Sequence, residues 1–111
     1  MTRDEKFLLD LGGSVSMKGF HYIIKGLELA RENPDLIQAV VKSFYPEVAR
    51  HYPGVTPPQV EKCIRQQIIS IYRKAIQLPP ELELSNTKSK YMTNKEFMAR
   101  LLKMTENPSE T

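Results

Sequence analysis

Six side chains on one stretch of the chain have the chemistry for recognition: Gln59, Glu61, Lys62, Arg65, Gln66 and Arg73. Lysine and arginine donate to the acceptors of guanine or to phosphate oxygens. Glutamine pairs bidentately with adenine, and a carboxylate accepts from the cytosine amine. At the angular step of an α-helix, Gln59, Lys62, Gln66, Ile69 and Arg73 fall on one side, with Arg65 at its edge. Val60, Cys63, Ile64, Ile68, Ile71 and Ala75 fall on the other. The pattern describes a helix with one face in a core and one face of donors. A polar face on an amphipathic helix needs no ligand, and Gln59 also has a local use as a cap. The pattern therefore leaves a reading helix and a solvated helix both open.

The elements that must position these residues are legible. Thr56-Pro57-Pro58-Gln59 opens a helix over 57–75: Thr56 suits the N-cap, Pro57 the first turn, and Gln59 completes a capping box. Before it, Asn33 and Pro34 open a helix over 35–51, with Leu36, Ile37, Val40, Val41, Phe44, Val48 and Ala49 as its buried face. Pro46 inside that stretch should kink or break it. The helix stops before the turn Tyr52-Pro53-Gly54. Two amphipathic helices joined by a short turn outline a helix-turn-helix, whose second helix enters the major groove of DNA by residues near its N-terminal end. A helix N-terminus there also favours phosphate.

The rest of the chain reads as further helices, with no period-two run long enough for a sheet. Residues 4–11 form a short helix stopped by Gly12-Gly13. A second starts near Ser16 as N-cap, carries Phe20, Ile23, Ile24, Leu27 and Ala30 as one stripe, and ends at Asn33-Pro34. Residues 77–92 are a loop with one short turn near Pro80–Leu84 and with Lys88 and Lys90 exposed. Thr93-Asn94-Lys95-Glu96 is a second capping box, ahead of a last helix with Phe97, Leu101, Leu102 and Met104 on its apolar side. The expectation is an all-α bundle of about five to six helices, a single unit over residues 1–106 with a flexible tail over 107–111.

Other chemistries find little support. His21 and His51 sit on different helices with no acid or nucleophile at a recognisable spacing. Cys63 lies on the buried face, where a small apolar residue belongs. No glycine-rich phosphate loop, HExxH or CxxC is present, so neither catalytic residues, metal ligands nor a cofactor are expected. The five tyrosines, 22, 45, 52, 72 and 91, are scattered and should pack with their hydroxyls near solvent. The chain has 111 residues, 41% hydrophobic and 26% charged, as a soluble globular domain does. No segment is apolar enough to span a bilayer, the sequence MTRDEKFLLD lacks the features of a signal peptide, and one cysteine makes no intrachain disulfide. These point to the cytoplasm. The net charge of +3 lies wholly in residues 56–111, with nine bases and six acids, against seven of each in residues 1–55. A basic surplus in the half that holds the candidate helix suits a polyanionic partner.

Several landmarks carry a resemblance. They are Leu11-Gly12, Lys18-Gly19-Phe20 with Tyr22, Tyr45-Pro46-Glu47-Val48-Ala49, Val60-Glu61 with Ile64-Arg65, and Thr93-Asn94-Lys95-Glu96-Phe97. In order and spacing the chain resembles the C-terminal DNA-binding effector domain of the stage-zero sporulation regulator A, the response regulator that starts endospore formation. The resemblance implies a compact unit of six helices with a helix-turn-helix, double-stranded DNA as partner, a homodimer on tandem sites, and contact with RNA polymerase. It makes Thr56–Ala75 the recognition helix and Glu61, Lys62, Arg65 and their neighbours the groove-facing set.

The chain also departs from the family pattern. Gln59 and Lys62 stand where the family's recognition helix usually has arginine, and Gln66 where a histidine is usual. Exchanging a forked guanidinium for an amide or a point charge alters which base is favoured. A different preferred sequence, or weaker specificity, is therefore expected. The turn at Pro53-Gly54-Val55 is about one residue longer than usual, and the loop 77–92 is shorter and lacks the family's Leu-Phe-Gly-Tyr stretch. The family's receiver domain has no counterpart in these residues. The alternative is a degenerate effector domain that docks on a regulator or polymerase without reading DNA, a reading that Ile69, an apolar residue on a polar face, favours.

Overall fold

The computed structural model describes residues 1–84 and 89–106. Among them there are six α-helices and no strand. The first, α1 (Arg3–Asp10), opens on a capping box in which the Thr2 hydroxyl accepts from the Glu5 N–H and the Glu5 carboxylate accepts from the Thr2 N–H. It ends at Leu11, followed by Gly12.

The second helix, α2 (Lys18–Glu32), buries the predicted stripe Phe20, Ile23, Ile24, Leu27 and Ala30, and stops before Asn33-Pro34 as expected. Its start differs from the sequence reading. Met17 is the N-cap and offers no side-chain bond, while the Ser16 hydroxyl pairs with that of Ser14.

The helix expected over 35–51, with a kink or break at Pro46, is in fact three pieces, and the chain leaves helical geometry earlier than Pro46. Asn33 Oδ1 accepts from the Asp35 N–H at 3.3 Å and leads into α3 (Asp35–Gln38). Ala39 then leaves helical geometry at φ −133° and ψ 74°. Val40–Phe44 are wound as a π-helix, with the Phe44 N–H reaching the Ala39 carbonyl at 3.3 Å. Only then does α4 (Tyr45–Ala49) begin, with Pro46 in its first turn. Pro46 has no N–H for the Lys42 carbonyl four residues earlier, which suits the wider winding just before it, but the departure at Ala39 lies upstream of its reach. The break shifts the register. Leu36, Ile37, Phe44, Val48 and Ala49 are buried as expected, Val40 is half-buried, and Val41 stands 72% exposed against expectation.

After α4 the chain turns through Gly54, whose φ of +78° lies in the left-handed region that favours glycine. It then enters α5 (Pro57–Lys74). A 3₁₀ turn at Pro80–Leu82 follows, and α6 (Asn94–Met104) ends the fold. Thr93 Oγ1 accepts from the Glu96 N–H at 3.3 Å, but the Glu96 carboxylate pairs with Arg100, so the second predicted capping box is half-formed. Phe97, Met98 and Leu101 are buried and Leu102 and Met104 half-buried. Lys90 is exposed; Lys88 and the predicted tail lie outside the described residues.

The centre of the fold is α2, which packs against α5, α6, α4, α1 and α3. At Gly19 the approach to α5 is so close that a Cβ would lie 2.1 Å from the Cys63 carbonyl oxygen. The two ends of the fold meet at Arg31, whose guanidinium donates to both Asp4 carboxylate oxygens at 2.7 and 2.8 Å and to Thr105 Oγ1 at 2.7 Å. Among the described residues no buried side-chain nitrogen or oxygen lacks a partner. Three of the tyrosines have hydroxyl partners: the buried Tyr45 takes a bond from Asn94, and the half-buried Tyr52 and Tyr72 donate to the His21 and Leu82 carbonyls.

Candidate nucleic-acid interface

The helix that carries the candidate residues, α5, is fixed at its first turn as the sequence predicted. The Thr56 hydroxyl accepts from the Gln59 N–H at 3.4 Å, and Gln59 Oε1 accepts from the Thr56 N–H at 2.8 Å. Pro57 and Pro58 occupy positions whose missing N–H groups cost nothing there. Val60, Ile64, Ile68 and Ile71 are fully buried, so the inner face is sealed and the outer face is determined. Cys63 is half-buried.

On that outer face Lys62, Gln66 and Arg73 are exposed. Gln59 is exposed too, but its side-chain carbonyl is used in the cap, which leaves the amide NH₂ for a ligand. Glu61 and Arg65 flank the stripe, partly buried, and form an ion pair with each other one turn apart. Ile69 is half-buried in a shallow depression that Met17, Gln66, Ser70 and Arg73 also line, so it is less exposed than its place on the helical wheel implied. Arg73 stands eleven residues beyond Lys62, about 16 Å along the axis. Lys74, exposed beside it, was not among the expected residues, and a base in the last turn also complements the helix dipole. In all, α5 carries four bases, Lys62, Arg65, Arg73 and Lys74, against the single acid Glu61.

Two residues that fasten α5 were missed in the sequence. Gln67 is fully buried. Its Oε1 accepts from the Ser14 N–H at 3.1 Å, and its Nε2 points at the Met17 sulfur at 3.4 Å. A signal existed, for Gln67 falls between Cys63 and Ile71 inside the apolar arc of the wheel. Asn94, the first residue of α6, is buried and donates from Nδ2 to the Glu61 carbonyl at 3.0 Å and to the Tyr45 hydroxyl at 3.1 Å. Burial raises the pKa of Tyr45, with the Asn94 bond opposing, so the hydroxyl stays protonated at neutral pH. No pattern in the sequence points to Asn94 beyond its place after a helix cap.

Among the described residues no three His, Cys, Asp or Glu side chains gather where a metal ion could be held. No helix there is long and apolar enough to cross a membrane. Residues 5–104 match the family model described as "Sporulation initiation factor Spo0A C terminal". The chain belongs to this family. The matched span runs from the first turn of α1 to the last residue of α6. The Spo0A C-terminal family is one of DNA-binding effector domains of a sporulation regulator, a regulatory family and not an enzymatic one. The α4–turn–α5 segment of this Spo0A C-terminal domain is compatible with a helix-turn-helix whose second helix is α5.

Proposed function

We propose that this chain is a sequence-selective transcriptional regulator that inserts α5 into the major groove of double-stranded DNA. The observation that carries the reading is the exposed stripe of Gln59, Lys62, Gln66 and Arg73 on a helix whose opposite face is sealed in the core. A helix capped from within and packed along its whole length presents its outer side chains in a fixed frame, as groove readout requires. In this reading Lys62, Arg65 and Gln66 face base edges, Glu61 either accepts from a base or tempers Arg65, the amide of Gln59 donates near the groove edge, and Arg73 meets phosphate. The partner is DNA in the cytoplasm. Pairing of two copies on tandem sites and contact with RNA polymerase are the further partners that membership of the family supports.

Selection of bound sequences from a random duplex library tests the reading. Enrichment of a short motif is the expected result. Binding that is salt-sensitive but enriches no motif, or no binding, would defeat it, and the interaction-module reading would then stand in its place.

A further inference from the structure

We infer that Asn94 is a positioning residue for the DNA-reading face of α5, acting through the Glu61 carbonyl without touching DNA. The inference rests on the reading of α5 proposed above. It begins from what apolar packing cannot do. Val60, Ile64, Ile68 and Ile71 hold α5 in the core, but dispersion contacts are individually weak and non-directional, and leave a helix some freedom to roll and slide. A roll of about 20° moves a side-chain tip about 2 Å, given a helix radius of about 5–6 Å with side chains. A recognition constellation tolerates only about 0.5 Å.

A hydrogen bond to a backbone carbonyl is directional and resists such a roll. Asn94 supplies one at the point where it matters. Its Nδ2 reaches the carbonyl of Glu61, next to Lys62 and one turn before Arg65. The same nitrogen donates to the Tyr45 hydroxyl at the start of α4. Asn94 thereby ties three elements, α4, α5 and α6, at one buried nitrogen, and sets the angle between the two helices of the motif. The residue itself is held by the start of α6, where the Thr93 cap fixes the backbone. On the far side Gln67 makes the matching fastening to Ser14, so Lys62, Arg65 and Gln66 lie between two directional anchors. Lacking a charge and buried, Asn94 has no part in attracting DNA.

The test uses the full chain, wild type and with Asn94→Ala, Asn94→Ser and Tyr45→Phe. Fluorescence anisotropy gives affinities for the duplex recovered by selection and for a shuffled duplex of the same composition, well below the melting temperature of each variant. Asn94→Ala should lose about tenfold on the selected duplex, the size of one lost base contact, and stay within about twofold on the shuffled one. Tyr45→Phe removes one of the two acceptors and should lose about threefold in the same ratio. A purely structural role predicts a lower melting temperature with an unchanged ratio, and that result overturns the inference. Should Asn94→Ala not fold, Asn94→Ser and Tyr45→Phe decide by the same ratio. If the wild type shows no preference between the duplexes, the reading of α5 fails and the inference falls with it. An intact wild-type preference that survives in all folded variants removes the inference alone.

Discussion

In the free protein Arg65 is bound to Glu61, its neighbour one turn back on α5. A guanidinium so paired shows little net charge to an approaching phosphate. The pair is partly exposed, and such i,i+4 pairs hold by only about 0.3–0.5 kcal/mol, so a better partner can take Arg65 away. Glu61→Gln should therefore tighten binding to every duplex several-fold at low salt and steepen the salt slope by at most about one. Anisotropy over a salt series reads both. Weakening confined to the selected duplex would instead assign Glu61 to a base.

Lys62 and Arg65 should behave differently from Arg73. The first two lie in the first turns of α5, where a groove-inserted helix meets base edges. Changing either to alanine should cost about 1–3 kcal/mol on the selected duplex and blur discrimination there. Arg73→Ala should weaken all duplexes alike and lower the salt slope by at most about one. Lys62 and Arg65 variants that bind every duplex as the wild type does would remove α5 as the reader.

The seal behind that face is testable through stability alone. Ile64 is fully buried, so Ile64→Ala should cost roughly 2–5 kcal/mol by lost burial and a residual cavity. Gly19→Ala forces a methyl group against the Cys63 backbone and should cost roughly 1–3 kcal/mol by overpacking. Urea titrations of both variants give the two numbers, and wild-type stability in either would contradict the α2–α5 packing.

Alkaline pH should loosen the fold through Tyr72. Burial pushes its pKa up to about 12, with Glu96 adding and Arg100 opposing. In the unfolded chain a tyrosine titrates near pH 10. The unfolded state thus loses its proton first, so the contribution of Tyr72 is whole below about pH 10 and is lost as pH rises toward 12. Tyr72→Phe should show a shallower loss of stability over that range in urea titrations at stepped pH. Tyr22, Tyr45 and Tyr52, also raised by burial, add slope of the same sign in that variant.

What the sequence made legible was whatever is local. The Thr56–Gln59 box, the Gly54 turn and the buried stripes of α2 and α5 depend on residues within a turn or two of each other, so spacing reveals them. Val41 was misplaced because the buried face was drawn at one helical phase across 35–51, whereas the departure at Ala39 and the π winding of Val40–Phe44 reset that phase. The candidate site divided along the same line. Its exposed stripe could be drawn on a wheel. The fastenings of that stripe could not, since Asn94 meets Glu61 across 33 residues and Gln67 meets Ser14 across 53. Pairing over such distances is a property of the fold, with no periodicity to betray it.

Arg31 grips Asp4 and Thr105 with one guanidinium, so residues 101 positions apart in the chain share a corner of the molecule. The order in which the helices are strung is thereby separable from the way they pack. A chain joined at that corner by a few added residues, and opened instead at the fully exposed Ile76 after α5, would keep each helix beside its present neighbours. Circular permutation is the operation this corner permits, with the Asp4–Arg31–Thr105 cluster clasping α1, α2 and the end of α6 beside the added joint.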